Sequence, residues 1–186
     1  MKLSARVIAR ARKVTLLATD VDGVMTDGRM FIGDGGDEVK AFHTRDGIGF
    51  NLARLAGLKL AMITGETSTI AKARGTKLGA DSIVLGARRK GDVLEALAAE
   101  HGIALGAIAY VGDDLLDLPA LQRAGLAIAV GDAVAEVKAA AHVVTRATGG
   151  HGAIREVVEL ILRSQGVWQQ TVERFARDHG ALRGPR

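Results

Sequence analysis

Two aspartates one residue apart, Asp20 and Asp22, carry the strongest chemical signal in the sequence, and Gly23 follows them directly. Carboxylates this close repel one another unless a cation or a shared proton lies between them. Hard oxygen donors in this number suit Mg²⁺. One aspartate of such a pair can attack as a nucleophile while the other moves a proton. The plain alternative is a turn carrying two solvated acids. Three further clusters share the same setting, each just after an expected strand or at the start of a helix: Thr64, Lys90, and Asp113/Asp114 with Asp117. Each has a bland reading alone. Thr64 fits a helix cap, Lys90 a solvated lysine after Arg88 and Arg89, and Asp113 and Asp114 acids that favour helix N-termini. Together they fall on one plane, where ligands of open α/β sheets bind.

The elements that must position these residues are legible from hydrophobic patterning. Leu16, Leu17 and Ala18 run into the aspartate pair without polar alternation, as a strand buried on both faces does. Further strands are expected at 58–63, 82–85, 107–111, 126–130 and 142–144. The intervening helices fall near 67–78, 91–100, 115–124 and 133–140, after one that follows His43-Thr44-Arg45-Asp46-Gly47 and runs to about 56. Helices at 153–162 and 167–177 close the chain, and a short amphipathic helix over 1–13 opens it. This alternation predicts an α/β fold, a doubly wound parallel sheet with helices on both faces. Residues 29–32 and 38–42 flank Gly33-Asp34-Gly35-Gly36-Asp37 and read as a β-hairpin inserted after the first strand. Gly47-Ile48-Gly49 is not a dinucleotide fingerprint, because Leu52 stands where the third glycine belongs.

Composition narrows the classes. The 186 residues fit one domain, 1–186, and 48% hydrophobic content with 3% aromatic implies a core of Ala, Val, Leu and Ile. With no cysteine, disulfides and thiolate metal sites are excluded, which is compatible with a cytoplasmic protein. No apolar run reaches the roughly 18 residues of a membrane span, so no membrane partner is expected. The net charge of +4 gathers at the ends, in Arg6, Arg10, Arg12 and Lys13, then Arg174, Arg177, Arg183 and Arg186. Without interleaved aromatics it reads as solvated termini and attraction for an anionic small molecule, not as a nucleic-acid face.

The ordered set resembles the haloacid dehalogenase superfamily of phosphotransferases. A narrower match lies in Asp20-Val21-Asp22-Gly23-Val24-Met25-Thr26-Asp27-Gly28, Lys40-Ala41-Phe42, Arg45-Asp46-Gly47, Ile63-Thr64-Gly65, Gly112-Asp113-Asp114-Leu115-Leu116-Asp117 and Gly149-Gly150-His151-Gly152. These look like the capless 3-deoxy-D-manno-octulosonate 8-phosphate (KDO 8-phosphate) phosphatase family. The resemblance implies Asp20 as nucleophile forming an aspartyl-phosphate and Asp22 as acid and base. It implies Thr64 and Lys90 on the phosphoryl oxygens. Asp20, the backbone carbonyl of Asp22, and Asp113 would hold Mg²⁺. Substrate contacts would come from His43, Thr44, Arg45, Asp46, Gly47, Glu66, Arg74 and Lys77, besides Asp22 and Lys90. The family is tetrameric, with a neighbouring subunit over each active site, so the hairpin at 29–42 is expected to build a homotetramer. Met30, Ile32, Val39 and Phe42 are the apolar residues it would present.

Two departures bear on the sugar. Relatives acting on octulosonate phosphate typically have Arg where Glu66 and Asn51 stand. Glu66 with Arg74 and Lys77 looks more like the branch acting on nine-carbon ulosonate 9-phosphates. Two rival classes remain. One is an idle oligomerisation module, like the phosphatase-like domain of some cytidylyltransferases. The other is a phosphoryl-accepting signalling domain, against which Asp22 argues by promising fast turnover.

Overall fold

The strand that carries the aspartate pair, β1 (Leu16–Thr19), is buried at every residue. Parallel neighbours on both edges explain that burial: β4 (Lys59–Ile63) and β6 (Ile108–Gly112). Beyond β4 lies β5 (Ser82–Val84), and beyond β6 lie β7 (Leu126–Ala129) and β8 (Val143–Val144). The sheet order is β5-β4-β1-β6-β7-β8. The chain builds outward from β1 to one edge, then returns to build the other half, so the order reverses beside β1. A crevice opens at the carboxyl end of such a switch point. The computed structural model describes residues 3–180. Met1 and Lys2 of the expected first helix, and the basic Arg183 and Arg186, lie outside the described residues.

Helices cover both faces, as the alternation predicts. α1 (Ala5–Ala11), α2 (Thr44–Leu55), α7 (Ala153–Ser164) and α8 (Trp168–Asp178) pack together, and α2 also meets α3 (Thr69–Leu78). α4 (Lys90–His101), α5 (Leu118–Arg123) and α6 (Ala135–Ala140) form the second group. Ile154, Val157, Val158, Ile161 and Leu162 of α7 are all buried, which anchors the last helices to the sheet.

Three local departures from the expected elements have physical causes. The helix expected over 115–124 is broken into a 3-10 turn, Leu115–Asp117, followed by α5. The Asp117 carboxylate turns back onto the amides of Asp113 and Asp114, and Pro119 stands at a helix start, where its missing N–H costs nothing. α3 begins two residues later than expected because the Ser68 hydroxyl accepts from the Ala71 amide. The hairpin strands are only β2 (Phe31–Ile32) and β3 (Glu38–Val39), closed by a Gly33 N–H to Asp37 carbonyl bond of 2.8 Å.

The hairpin's exposed face also differs from expectation. Phe31, Ile32 and Val39 are 58%, 70% and 62% exposed, with Met30 beside them. Phe42 is not among them. It packs against the core with the Arg74 guanidinium 5.3 Å above its ring.

Candidate active site

The register of the sheet assembles the site. Thr19 of β1 pairs with Met62 and with Val111. One residue past Thr19 stands Asp20; two past Met62 stands Thr64; two past Val111 stands Asp113. All leave the sheet at one level and surround a cleft of about 250 Å³, lined by Asp20, Asp22, Thr64, Lys90, Asp113 and Asp117. Gly28, Met30, Glu66, Arg88 and Leu116 form its rim.

Acids crowd its floor. Carboxylate oxygens of Asp20, Asp113 and Asp117 lie within 4.8 Å of one another. Lys90, buried at the first turn of α4, donates to Asp20 Oδ1 at 2.8 Å and to Asp117 Oδ1 at 2.7 Å. Asp117 is held further by the Tyr110 hydroxyl at 2.7 Å. Two glycines make room for this density. Gly23 has φ of +91°, and a Cβ there would collide with the Asp113 carboxylate; a Cβ at Gly112 would collide with Asp117.

Confinement shows in the proton affinities. Burial, then the charge of Asp117, pushes the Asp20 carboxyl up to about 7. Burial, then the charges of Asp20 and Asp117, pushes Asp113 up to about 8. Burial opposes the Lys90 charge, but Asp20 and Asp117 hold its pKa above the ordinary value. One lysine thus faces three acids, and Asp113 Oδ1 is buried without any hydrogen-bond partner among the described residues. An orphaned carboxylate oxygen in an all-oxygen cluster fits a hard divalent cation.

Asp22 points elsewhere. Its Oδ2 accepts from the Thr64 hydroxyl at 3.1 Å, and its Oδ1 accepts from Lys40 Nζ at 2.5 Å. Its carboxylate is therefore outside the acid cluster, and the cluster's third member is Asp117. A metal contact from Asp22 is left to its backbone carbonyl, the atom the resemblance names. Thr64 does not cap α3; its Oγ1 accepts from the Glu66 amide at 3.1 Å while donating to Asp22.

A family model of haloacid dehalogenase-like hydrolases matches residues 64–157. The 3-deoxy-D-manno-octulosonate 8-phosphate phosphatase KdsC of Escherichia coli K12 is 43% identical over 168 residues, which span 88% of this chain and 87% of that protein. The chain belongs to this family of the haloacid dehalogenase superfamily. KdsC of Yersinia pestis is 41% identical over 159 residues, spanning 86% of this chain and 85% of that one. Among solved structures, the Moraxella catarrhalis phosphatase, crystallised with magnesium, phosphate and KDO, superposes with a TM-score of 0.88 at 38% identity. That match covers 91% of this chain and 97% of the other. The cobalt-bound Haemophilus influenzae phosphatase gives 0.84 at 36% identity, covering 88% and 99%.

Not every residue that the family pattern singles out reaches the cleft of its own chain. His43, Thr44, Arg45, Asp46, Gly47, Arg74 and Lys77 are absent from its lining. Their local surroundings explain why. His43 caps α2, accepting from the Arg45 amide at 3.1 Å. Asp46 is buried and accepts from the Gly152 and Arg155 amides, capping the start of α7. Gly47 packs beneath the Arg74 guanidinium. Arg45 lines a separate groove with Arg146, His151 and Arg155, and Thr44 and Lys77 are exposed. Glu66, by contrast, stands on the cleft rim. Two lysines, not one, hold carboxylates of the cleft, and neither the type nor the spacing of Lys40 distinguishes it. Its only sequence signal is membership of the Lys40-Ala41-Phe42 segment.

Proposed function

We propose that this chain is a Mg²⁺-dependent phosphatase that frees phosphate from 3-deoxy-D-manno-octulosonate 8-phosphate by way of a phosphoryl group carried on Asp20. The observation that carries the reading is the buried Asp20 carboxylate, with Lys90 at 2.8 Å and the partnerless Asp113 oxygen in the same cluster. The substrate is taken from the names of the relatives. In the first half-reaction an Asp20 oxygen bonds to phosphorus as the bridging P–O bond breaks. The electron pair leaves with the sugar oxygen, which takes a proton from Asp22. In the second, water bonds to phosphorus, gives its proton to Asp22, and the Asp20–phosphorus bond breaks. Lys90 supplies donors to the phosphoryl oxygens, where charge grows, and the Thr64 hydroxyl would turn from Asp22 Oδ2 to join it, leaving that oxygen free to carry the proton while Lys40 stays on Oδ1. Mg²⁺, held by Asp20, Asp113 and the Asp22 carbonyl, would neutralise charge so that one anion can approach another.

The cleft of one chain is small and open, and no positive side chain other than Arg88 stands with Lys90 in its lining. Enclosure by a second subunit would complete it. We propose a homotetramer built on the exposed hairpin, with Arg45, Arg74 or Lys77 of a neighbour meeting the sugar-acid carboxylate. The proposed compartment is the cytoplasm, whose reducing conditions suit a chain without cysteines. Among the described residues no helix is long and apolar enough to cross a membrane. Glu66 on the rim supports a second reading, a nine-carbon ulosonate 9-phosphate, because its carboxylate accepts hydroxyls and repels an acid. The complete set Asp20, Asp22, Thr64, Lys90 and Asp113 argues against an idle module.

The test is phosphate release from both sugar-acid phosphates, with Mg²⁺ and with chelator. Turnover of either substrate that vanishes in chelator and returns with Mg²⁺ is expected. Full activity in chelator overturns the metal, and no activity on either sugar overturns the substrate class.

A further inference from the structure

The hairpin is the most exposed element of the fold, yet the side chain that ends it is nearly invisible to solvent. Lys40 follows β3 directly, and its side chain is 1% exposed. A buried ammonium is costly unless it is paired. Lys40 has two partners, Asp22 Oδ1 at 2.5 Å and Glu38 Oε1 at 3.1 Å. Glu38 in turn accepts from the Ser68 hydroxyl at 3.2 Å, and Ser68 caps α3. A continuous path of hydrogen bonds therefore runs from the start of α3, through the root of the hairpin, to Asp22 and on to Thr64 at the end of β4.

The path has a chemical consequence. A carboxylate two residues from Asp20, with no fixed partner, is free to swing toward the acid cluster and share its cation. With Oδ1 on Lys40 and Oδ2 on Thr64, both oxygens of Asp22 are engaged and its rotamer is set. The charges divide accordingly: Lys90 answers Asp20 and Asp117, and Lys40 answers Asp22 and Glu38.

We propose that Lys40, anchored by Glu38, is a positioning residue for the phosphatase reaction, holding Asp22 where it exchanges protons with the substrate oxygen and with water. This rests on the phosphatase reading above. It makes the hairpin part of the reaction machinery as well as an assembly element.

Leaving-group dependence tests it. A sugar alkoxide needs a proton as it departs, whereas p-nitrophenolate does not. In Lys40→Met, first-turnover release of the sugar is expected to fall about ten- to a hundredfold, part of the usual worth of a placed acid. First-turnover release of p-nitrophenol from p-nitrophenyl phosphate should fall several-fold less, with KM for the sugar phosphate little changed. Glu38→Gln should show the same pattern more weakly. If Lys40→Met does not fold, Lys40→Arg and Glu38→Gln carry the same comparison. Equal loss for both leaving groups, or no loss, overturns the role of Lys40 while leaving the phosphatase reading intact. A wild type inactive on every sugar-acid phosphate defeats both.

Discussion

Two regions meet at Asp22, and they are built on opposite principles. At the carboxyl edge of the sheet, Asp20, Thr64, Lys90 and Asp117 are buried, and β1 and β4, which lead to Asp20 and Thr64, each have a strand partner on both sides. The hairpin is a two-stranded ribbon with Phe31, Ile32 and Val39 largely in solvent and only its Lys40 root buried. An isolated ribbon of this kind is marginal in water, and its apolar residues form a patch of the sort that marks an interface. The contrast teaches a division of labour. On the proposed reading, the reacting groups come from one chain, whereas enclosure and sugar selection would draw on a neighbour packed against the hairpin.

The sharpest way to break that division is at the proposed nucleophile. Asp20→Asn leaves a shape of equal size but an amide that cannot attack phosphorus. Turnover should fall by about a thousandfold or more, with the fold kept as judged by circular dichroism. Retention of more than a few per cent of the wild-type rate removes Asp20 from its role.

A second break targets the other region. Phe31→Glu with Ile32→Lys places charge on the ribbon's exposed face. The expected product is a monomer by light scattering. Its KM for the sugar phosphate should rise about tenfold, and its turnover of p-nitrophenyl phosphate should stay within a few-fold of wild type. A variant that stays assembled removes the hairpin from the interface. One that loses both activities shows that chemistry, too, depends on assembly.

The same two regions differ in how far the sequence reveals them. β1 is legible because a strand buried on both faces has no reason to alternate, and Leu16 to Ala18 do not. Asp20, Thr64 and Asp113 are legible because parallel strands end at one level, so chemistry that follows strands converges in space. Lys40 is hidden because a lysine after a short β-prone run is ordinarily solvated, and nothing local says that the chain dives back to Asp22. Phe31 and Phe42 are confused because a two-residue strand is too short for alternation to name its outer face. Asp46 is hidden for a third reason. Its partners, the Gly152 and Arg155 amides, are more than a hundred residues away, and capping across that distance leaves no local pattern. Long-range side-chain contacts leave no local trace in the sequence, whereas the alternation of strands and helices does.

Glu66 sharpens the comparison, since it sits on the cleft rim of its own chain while Arg74 and Lys77 do not. If selectivity is split between the rim and a neighbour, Glu66→Arg should move the kcat/KM ratio toward the eight-carbon acid several-fold, the usual worth of one exposed charge contact. The Mg²⁺ requirement should be unchanged. A wild type that strongly prefers the octulosonate, with a ratio unaffected by Glu66→Arg, makes Glu66 a simple helix-approach residue.

The smallest expected effect tests the acid cluster by its stability. Asp20 and Asp113 have ordinary values of 3.8 but are pushed up to about 7 and about 8 when folded without metal, mainly by burial and next by neighbouring acids. A folded pKa above the unfolded one means that the folded chain holds its protons more tightly. The stabilising contribution is therefore full below about pH 4 and is lost as pH rises through about 7 to 8. Metal reverses the balance, because a bound cation favours the charged carboxylates and displaces those protons. The rise in Tm on adding Mg²⁺ in place of chelator should thus be larger near pH 8.5 than near pH 6, by a few degrees for a domain of this size. Asp113→Asn separates this from general metal effects. It removes one of the crowded charges, so the metal-free protein should melt higher than wild type at pH 8.5. The same variant should lose both the Mg²⁺-induced rise and the activity, the exchange of stability for function expected where like charges are held together for chemistry. A Mg²⁺-induced rise equal at the two pH values, or an Asp113→Asn protein less stable than wild type without metal, would show that these acids are not strained by one another.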